Sequence, residues 1–221
     1  MRKIVVLAML ALVVPALAGQ LNAVSPTSVA PLTVGGARAL TGNIVYDNTT
    51  NGQPYYFNQT GTEVGDDISF AGGQTGNLQA FTFIYYDPSP AATTANVFFY
   101  EQDLVTGEVG NYLGGYTIEN LPGVGAWIIN VDPVDYPITF DQPDIWMSVQ
   151  FDDANSGLIL YTPPTVGTSY DVFAQFTGTW SYYYFTGHNP AANFGLAVSL
   201  TPEPASLALL ALGALTLIRR R

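Results

Sequence analysis

Four pairs of neighbouring aspartates have the residue type and spacing that suit catalysis: Asp66 and Asp67, Asp132 and Asp135, Asp141 and Asp144, and Asp152 and Asp153. Two carboxyl groups about 5 to 10 Å apart hydrolyse glycosides when one is protonated and the other ionised. Each pair stands at a turn signal, however, where Asp often accepts hydrogen bonds from its own backbone. We therefore expect turns here, and a glycoside hydrolase remains the third hypothesis for function.

The only histidine, His188, lies in the turn sequence Gly187-His188-Asn189-Pro190. A Ser-His-Asp arrangement would need this histidine as its base, and the Gly-x-Ser-x-Gly elbow that often supplies the serine does not occur. The chain also has no cysteine, which excludes a thiolate nucleophile, an iron–sulfur cluster and a cysteine-type zinc site. The sequence thus predicts a protein that is not an enzyme and has no cofactor, apart from the calcium hypothesis that follows.

One acidic turn has a weak calcium pattern. Asp153 and Asn155 place oxygen ligands at alternate positions ahead of Gly157, as calcium loops do. The pattern falls short of an EF-hand, which needs a third ligand, an earlier glycine and a distant glutamate. A structural Ca²⁺ at this turn, or near Asp66 and Asp67, is therefore a hypothesis, and ordinary turn chemistry is the alternative.

Residues 180–185 form an aromatic run that is interrupted only by Ser181. In a strand, Trp180, Tyr182 and Tyr184 share one face because successive side chains alternate. Exposed Trp and Tyr in a row suit the apolar face of a sugar ring, which favours a module that binds carbohydrate, with exopolysaccharide as its partner. The alternative is that one face of this strand lies in the core and the other is an ordinary edge.

The charge of the chain excludes one class of partner. Residues 19–201 contain one basic residue, Arg38, and sixteen carboxylates, which gives this part a net charge of −15. Nucleic-acid binding depends on Lys and Arg that neutralise phosphates, so nucleic acid is excluded as a partner. Divalent cations would be attracted to such a surface, although solubility alone also explains the acidity.

Apolar and aromatic residues alternate with polar ones along the body, with the period of two that is typical of strands. The clearest runs are 78–86, 95–100, 126–131, 145–151 and 194–200, and turn signals separate them. About ten short strands of this kind predict an all-β fold, a two-sheet antiparallel sandwich of jelly-roll type, over residues 41–201. Residues 19–40 lack this patterning and are predicted to be a loose N-terminal segment.

The N-terminus has the three parts of a secretory signal peptide. Met1-Arg2-Lys3 is positive, residues 4–14 are apolar, and Ala16 and Ala18 form a small-x-small cleavage site. Residues 1–18 are therefore predicted to be a signal helix that is removed during export. An uncleaved anchor is the alternative, although eleven apolar residues are few for a membrane span.

The C-terminal residues combine a tripeptide, an apolar run and a basic end: Pro202, Glu203 and Pro204, then residues 205–218, then Arg219, Arg220 and Arg221. The run has no polar stripe, so we predict a helix in lipid, with a buried C-terminal helix as the alternative. Its fourteen residues would cover about 21 Å, which is short for a bilayer and indicates a weak membrane anchor. The arginines should stay cytoplasmic and leave the body outside.

This arrangement resembles the PEP-CTERM sorting signal of bacterial surface proteins, in which a Pro-Glu-Pro motif, a short transmembrane helix and a basic terminus follow one another. The resemblance covers residues 202–221. It implies that an exosortase, a membrane-embedded transpeptidase-like enzyme, recognises Pro202, Glu203 and Pro204 and removes the helix. The localisation that it implies is export, anchoring by the C-terminal helix, and then the cell surface or the extracellular space.

The body is similar to a group of exported proteins, common among planctomycete-like bacteria, that carry the same tail. The similarity rests on residues 44–48, 65–68, 160–167 and 193–195, and it implies no activity. Some ice-binding proteins carry such a tail too, but the regular Thr-x-Thr ranks of an ice-binding face do not occur here. We therefore predict a non-catalytic cell-surface or extracellular-matrix protein that an exosortase processes, with a carbohydrate-binding module as the second hypothesis.

Overall fold

The computed structural model describes residues 21–32, 40, 42–50, 52–59, 61–188 and 190–201, and it gives only the backbone of Gln53, Pro54 and His188. The predicted signal helix (residues 1–18), the sorting tripeptide (202–204), the transmembrane helix (205–218) and the terminal arginines (219–221) lie outside these residues. In the described part of the chain, no helix has the length and apolar character needed to cross a membrane.

Runs of β-branched and aromatic residues form sixteen strands within the described residues. They are β1 (Asn22–Ala23), β2 (Ser28–Pro31), β3 (Asn43–Asp47), β4 (Gly52–Asn58), β5 (Glu63–Ser69), β6 (Gly76–Asp87), β7 (Thr93–Gln102), β8 (Val109–Leu121), β9 (Gly125–Val131), β10 (Thr139–Phe140), β11 (Asp144–Phe151), β12 (Gly157–Tyr161), β13 (Phe173–Phe176), β14 (Trp180–Tyr183), β15 (Asn193–Phe194) and β16 (Leu196–Thr201). Two short 3₁₀ turns, Ala71–Gly73 and Thr186–His188, are the only helical segments in this part of the chain.

The described strands form two sheets. One sheet has seven strands in the order β1-β8-β7-β11-β5-β13-β14. The other has nine strands and is organised around the long strand β6, which pairs with β9 and β10 on one side and with β12 and β16 on the other. Strands β2, β3, β4 and β15 extend this second sheet outward.

The core lies between the two sheets and is rich in aromatic rings. In β7, the buried residues Ala95, Val97 and Phe99 alternate with more exposed ones, so one face of the strand points inward. Phe99 meets Phe81 of β6 with ring centroids 5.6 Å apart, edge to face. Contacts of this geometry add about 0.5–1.5 kcal/mol to the burial of each ring pair, so they hold the two sheets together.

The predicted all-β sandwich of two sheets is confirmed. Nearly all described strand pairs are antiparallel, and the exception is β1, which pairs with β8 in parallel through Asn22 and Ala23. The sequence predicts a loose segment over residues 19–40, whereas the structure places β1 on the seven-stranded sheet and β2 on β9 of the other. The bonds that hold these short strands come from distant parts of the chain, so local patterning could not reveal them.

Candidate functional site

The outer face of the seven-stranded sheet is concave. Trp146 of β11 lies 5.7 Å from Tyr182 of β14, measured between ring centroids, and Tyr100 of β7 lies 5.4 Å from Trp180. Strands β5 and β13 separate β11 from β14, which in a flat sheet would put Trp146 and Tyr182 about 14 Å apart. The sheet therefore curves so that aromatic side chains from its two sides meet over the middle strands.

Small residues form the floor of this concave face. Gly65 of β5 pairs with Ser148 of β11 and with Ala174 of β13, and all three share the outer face. A Cβ atom added to Gly65 would lie 2.8 Å from the Cβ of Ser148, closer than two carbon atoms pack. Because these three residues are small, they leave space in which the rings of Trp146 and Tyr182 lie over the sheet.

Glu63 lies at the floor under this aromatic layer. Its Oε1 accepts hydrogen bonds from the hydroxyls of Ser148, at 2.5 Å, and Tyr100, at 2.9 Å. Burial raises the pKa of Glu63 above its ordinary value, although these two hydrogen bonds oppose the change. With both hydroxyls committed to it, Glu63 supports the aromatic layer from below.

A cleft of about 610 Å³ opens at the end of this face where β5 and β7 end and β11 begins. Its lining includes the aromatic residues Trp146, Tyr170 and Tyr182 and the carboxylates of Asp67 and Asp144. Loop 103–108, between β7 and β8, closes one side. The volume is in the range of sites that hold small molecules.

Hydrogen bonds fix the loop over the sheet. The indole Nε1 of Trp146 and the side-chain amide of Gln102 both donate to the carbonyl oxygen of Gly107, each at 3.1 Å. The backbone amide of Val109 donates to the hydroxyl of Tyr182 at 2.8 Å. Because Tyr182 comes from the far edge of the sheet, this bond joins the two walls of the cleft.

The carboxylates of the cleft already have partners. Both oxygens of Asp67 accept from the backbone amide of Tyr170, at 3.2 and 3.0 Å, and Asp144 accepts from the Ser69 hydroxyl at 2.5 Å. Burial raises the pKa of Asp67 to about 7, and the charge of Asp144 adds to the shift while the Tyr170 amide opposes it. The cleft is therefore an acidic site whose charge depends on pH.

Asp66 and Asp67, adjacent in sequence, lie on opposite faces of β5. Asp66 points into the sandwich, where it accepts from the Phe194 amide at 2.9 Å and from the Ser169 hydroxyl at 3.1 Å. Burial and the neighbouring charge of Asp67 raise the pKa of Asp66 well above its ordinary value. The pair therefore does not converge on one ligand, because alternation along a strand separates its side chains.

The predicted aromatic residues lie in different surroundings. Trp180 and Tyr182 share the outer face of β14, as expected, and Tyr182 lines the cleft. Trp180 packs on Tyr100 and Phe176. Strand β14 ends at Tyr183, so Tyr184 follows the strand and is not among the residues that line the cleft.

The remaining predicted residues lie at the surface or in turns. Asp132, Asp135 and Asp141 are exposed, and His188 belongs to a 3₁₀ turn in which its side chain lies outside the described atoms. Asp153 accepts from the backbone amides of Asn155 and Ser156, at 2.6 and 2.8 Å. Across the described residues, no group of three or more His, Cys, Asp and Glu side chains is spaced to hold a metal ion.

The sequence did not single out Trp146, Tyr170 and Asp67 as one site. A signal for Trp146 was available: it lies with Ser148 and Gln150 on the polar face of an alternating strand, where a large aromatic residue is out of place unless something covers it. No local signal marks Tyr170, because its position depends on how the loop before β13 crosses the end of β5.

Comparison with known proteins bears on the C-terminus. The family model described as the PEP-CTERM protein-sorting motif matches residues 200–221. The chain carries a PEP-CTERM sorting motif. This confirms the sorting signal predicted around Pro202, Glu203 and Pro204, and it marks an exported, cell-surface-directed protein whose processing partner is an exosortase. Neither the curated proteins nor the solved structures give a match to the chain.

Proposed function

We propose that this protein is a non-catalytic component of the cell surface or extracellular matrix, whose sandwich binds carbohydrate in the cleft beside Trp146. The motif at residues 200–221 supports delivery to the surface. The observation that carries the carbohydrate proposal is the cleft itself, in which Trp146, Tyr170 and Tyr182 stand next to Asp67 and Asp144.

Aromatic and carboxylate groups in one cleft are complementary to a sugar. The apolar face of a pyranose ring packs against Trp or Tyr, while the hydroxyls at its edge donate hydrogen bonds to carboxylate oxygens. In this cleft Tyr170 is 71% exposed, and Asp144 is only partly buried. Both are therefore accessible to a ligand, as a binding site for an extended polysaccharide requires.

The surroundings of Asp67 support binding without catalysis. A general acid must come within hydrogen-bond distance of the glycosidic oxygen. Asp67 is only 1% exposed, and the Tyr170 amide contacts both of its oxygens. Its raised pKa therefore reflects burial and does not make it an acid that a substrate can reach.

The charge of the cleft restricts the class of sugar. Asp67, Asp103, Glu108 and Asp144 line it, and no Lys or Arg is among its lining residues within the described chain. Uronic acids and sulfated sugars would bring like charges together, which costs free energy. We therefore propose neutral or amino sugars within the exopolysaccharide.

The binding test changes two tyrosines that line the cleft, Tyr170 and Tyr182. Tyr170→Ala and Tyr182→Ala should each reduce retention on the purified exopolysaccharide of the producing cells by about tenfold, equivalent to about 1.4 kcal/mol. Tyr184→Ala is the matched control, because Tyr184 is 65% exposed and does not line the cleft, and its retention should not change. Retention that is unaffected by the first two changes would overturn the carbohydrate proposal.

A second test addresses processing by the exosortase. Intact mass spectrometry of protein recovered from the native cell surface should give a mass that lacks residues 1–18 and the apolar residues after Pro204. A mass that still contains residues 205–221 would contradict removal of the helix, while leaving the sorting motif in place.

A further inference from the structure

Gln59, just after β4, is a buried side chain without partners. It is 0% exposed, and neither its Nε2 nor its Oε1 has a hydrogen-bond partner. The Oδ2 of Asp87, a residue that is also fully buried, has none either. Each unsatisfied buried polar group costs about 1–3 kcal/mol, so a bound species that satisfied them would stabilise the fold.

The two side chains face the same space. Gly157 pairs with Asn58 of β4 on one side and with Tyr86 of β6 on the other, so Ser156 is flanked by Gln59 and Asp87. The backbone amide of Gln59 donates to the Ser156 carbonyl at 3.4 Å, which continues this register. Leu158, two residues on from Ser156, lies in the core. Alternation then directs Gln59, Ser156 and Asp87 inward together.

Further oxygens gather around Ser156. Its hydroxyl donates to Oδ2 of Asp153 at 2.5 Å. The single hydroxyl proton of Thr93 is shared by two carboxylates, because Thr93 Oγ1 lies 2.7 Å from Asp152 Oδ1 and 2.8 Å from Asp153 Oδ2. We refer to Gln59, Asp87, Thr93, Asp152, Asp153 and Ser156 as the Ser156 cluster. It has more oxygen acceptors than protons to share among them.

The cluster also has an excess of negative charge. Three of its members, Asp87, Asp152 and Asp153, are carboxyl groups, and each carboxylate adds a negative charge. The chain between residues 19 and 201 contains one basic residue, Arg38, so protein cations can supply little compensation.

We propose that the Ser156 cluster binds a Ca²⁺ ion through Asp87, Gln59 and Asp153. Ca²⁺ takes six to eight oxygen ligands, accepts amide and hydroxyl oxygens beside carboxylates, and tolerates irregular geometry that Mg²⁺ does not. The proposed ligands are two carboxylates and one side-chain amide, so the site is not a group of three acidic side chains. Asp152, which shares the Thr93 hydroxyl with Asp153, is exposed to solvent. The originally predicted ligand Asn155 contributes its backbone amide to Asp153 and is not part of the site.

This inference does not depend on carbohydrate binding. The cleft lies at the start of β11, at Asp144, and the Ser156 cluster lies beyond its end, at Phe151. An eight-residue strand separates the two by roughly 24 Å. Failure of one proposal therefore leaves the other unaffected.

The experiment compares the chain after EGTA treatment with the same chain after addition of Ca²⁺. Thermal unfolding should shift upward by about 5 °C when Ca²⁺ is well above its Kd, and Mg²⁺ should give a smaller shift. Tb³⁺ should also give tyrosine-sensitised luminescence that Ca²⁺ displaces, because Tyr85 lies two residues from Asp87 on the same face of β6.

Two variants localise the ion. Asp87→Asn and Gln59→Leu should each weaken Ca²⁺ binding by at least about tenfold. Asp132→Asn, which changes an exposed turn carboxylate, is the control and should bind normally. Gln59→Leu removes a side-chain amide that makes no hydrogen bond, so without Ca²⁺ the melting temperature of this variant should be unchanged or higher. That result would show that the variant folds. Identical melting with and without Ca²⁺, or equal weakening in the control, would overturn the proposal.

Discussion

Aspartates lie at both ends of β11, but their surroundings differ. At its start, Asp144 borders an open cleft and accepts from Ser69, so ligand space remains beside a satisfied carboxylate. Beyond its end, Asp152 and Asp153 join Asp87, whose Oδ2 has no partner. A satisfied carboxylate beside space suits a ring-sized ligand, whereas unsatisfied oxygens in a closed space suit a small cation.

Neighbouring loops explain the difference. At the open end, Trp146 and Gln102 hold Gly107 away from the sheet, so loop 103–108 stands over a cavity. At the closed end, the turn after β11 folds back so that the backbone amides of Asn155 and Ser156 donate to Asp153. Aromatic side chains therefore maintain the first site, and backbone turn bonds maintain the second.

The largest effect is expected from removing the aromatic support of the open end. Trp146→Ala should lower the free energy of unfolding by about 3–5 kcal/mol, because this buried ring packs on Tyr182 and donates to Gly107. Urea unfolding measures the change, and Trp146→Phe should lose less. The folded variant should lose sugar binding but keep its response to Ca²⁺. Loss of both together would show that the two ends are not independent.

Asp67 at the open end and the pair Asp152 and Asp153 beyond the closed end should respond to pH with opposite signs. Burial raises the pKa of Asp67 to about 7, so its folded form holds a proton that the unfolded chain releases between about pH 4 and 7. Its contribution to stability is complete below that window and is lost as pH rises through it. Asp152 and Asp153 have lowered pKa values. Their contribution to the stability of the fold is therefore present above the ordinary Asp pKa and is lost as the pH falls below it.

Unfolding free energies measured between about pH 4 and 8 test this difference. Stability of the native chain should fall by up to about 1.4 kcal/mol per unit of pKa shift, and Asp67→Asn should flatten the profile. Asp132→Asn, at an exposed site, should leave the profile unchanged. A profile that rises through this range, or that Asp67→Asn does not alter, would contradict the assignment.

The sequence predicted the sandwich because its main strands carry their own pattern. The run at 145–151, for example, alternates core residues such as Met147 with outward ones such as Ser148, and it becomes β11. The sorting motif was equally clear, since its three parts are contiguous. In both cases the residues that carry the signal are close to one another along the chain.

The two candidate sites could not be derived in the same way. The cleft depends on the curvature of the sheet that brings Tyr182 across to Val109. The small floor residues Gly65 and Ala174 indicate this curvature only when the register of β5 with β13 is known. Gln59 is an ordinary polar residue in sequence. Its lack of partners emerges only when β4, β12 and β6 are aligned.

The smallest effect is expected from substitutions of Asp103 and Asp153, which lie in two turns that differ mainly in burial. Asp103 and Asp153 each accept two backbone amides of their own turn, but Asp153 also accepts the hydroxyls of Thr93 and Ser156. Asp153→Ala should lower the free energy of unfolding by about 1–3 kcal/mol, because it leaves partly buried donors unpaired. Asp103→Ala should change it little, since water replaces the lost bonds at an exposed loop. Urea unfolding of the two variants measures the difference, and equal losses would mean that the turns, and not the enclosed hydroxyls, distinguish the closed end.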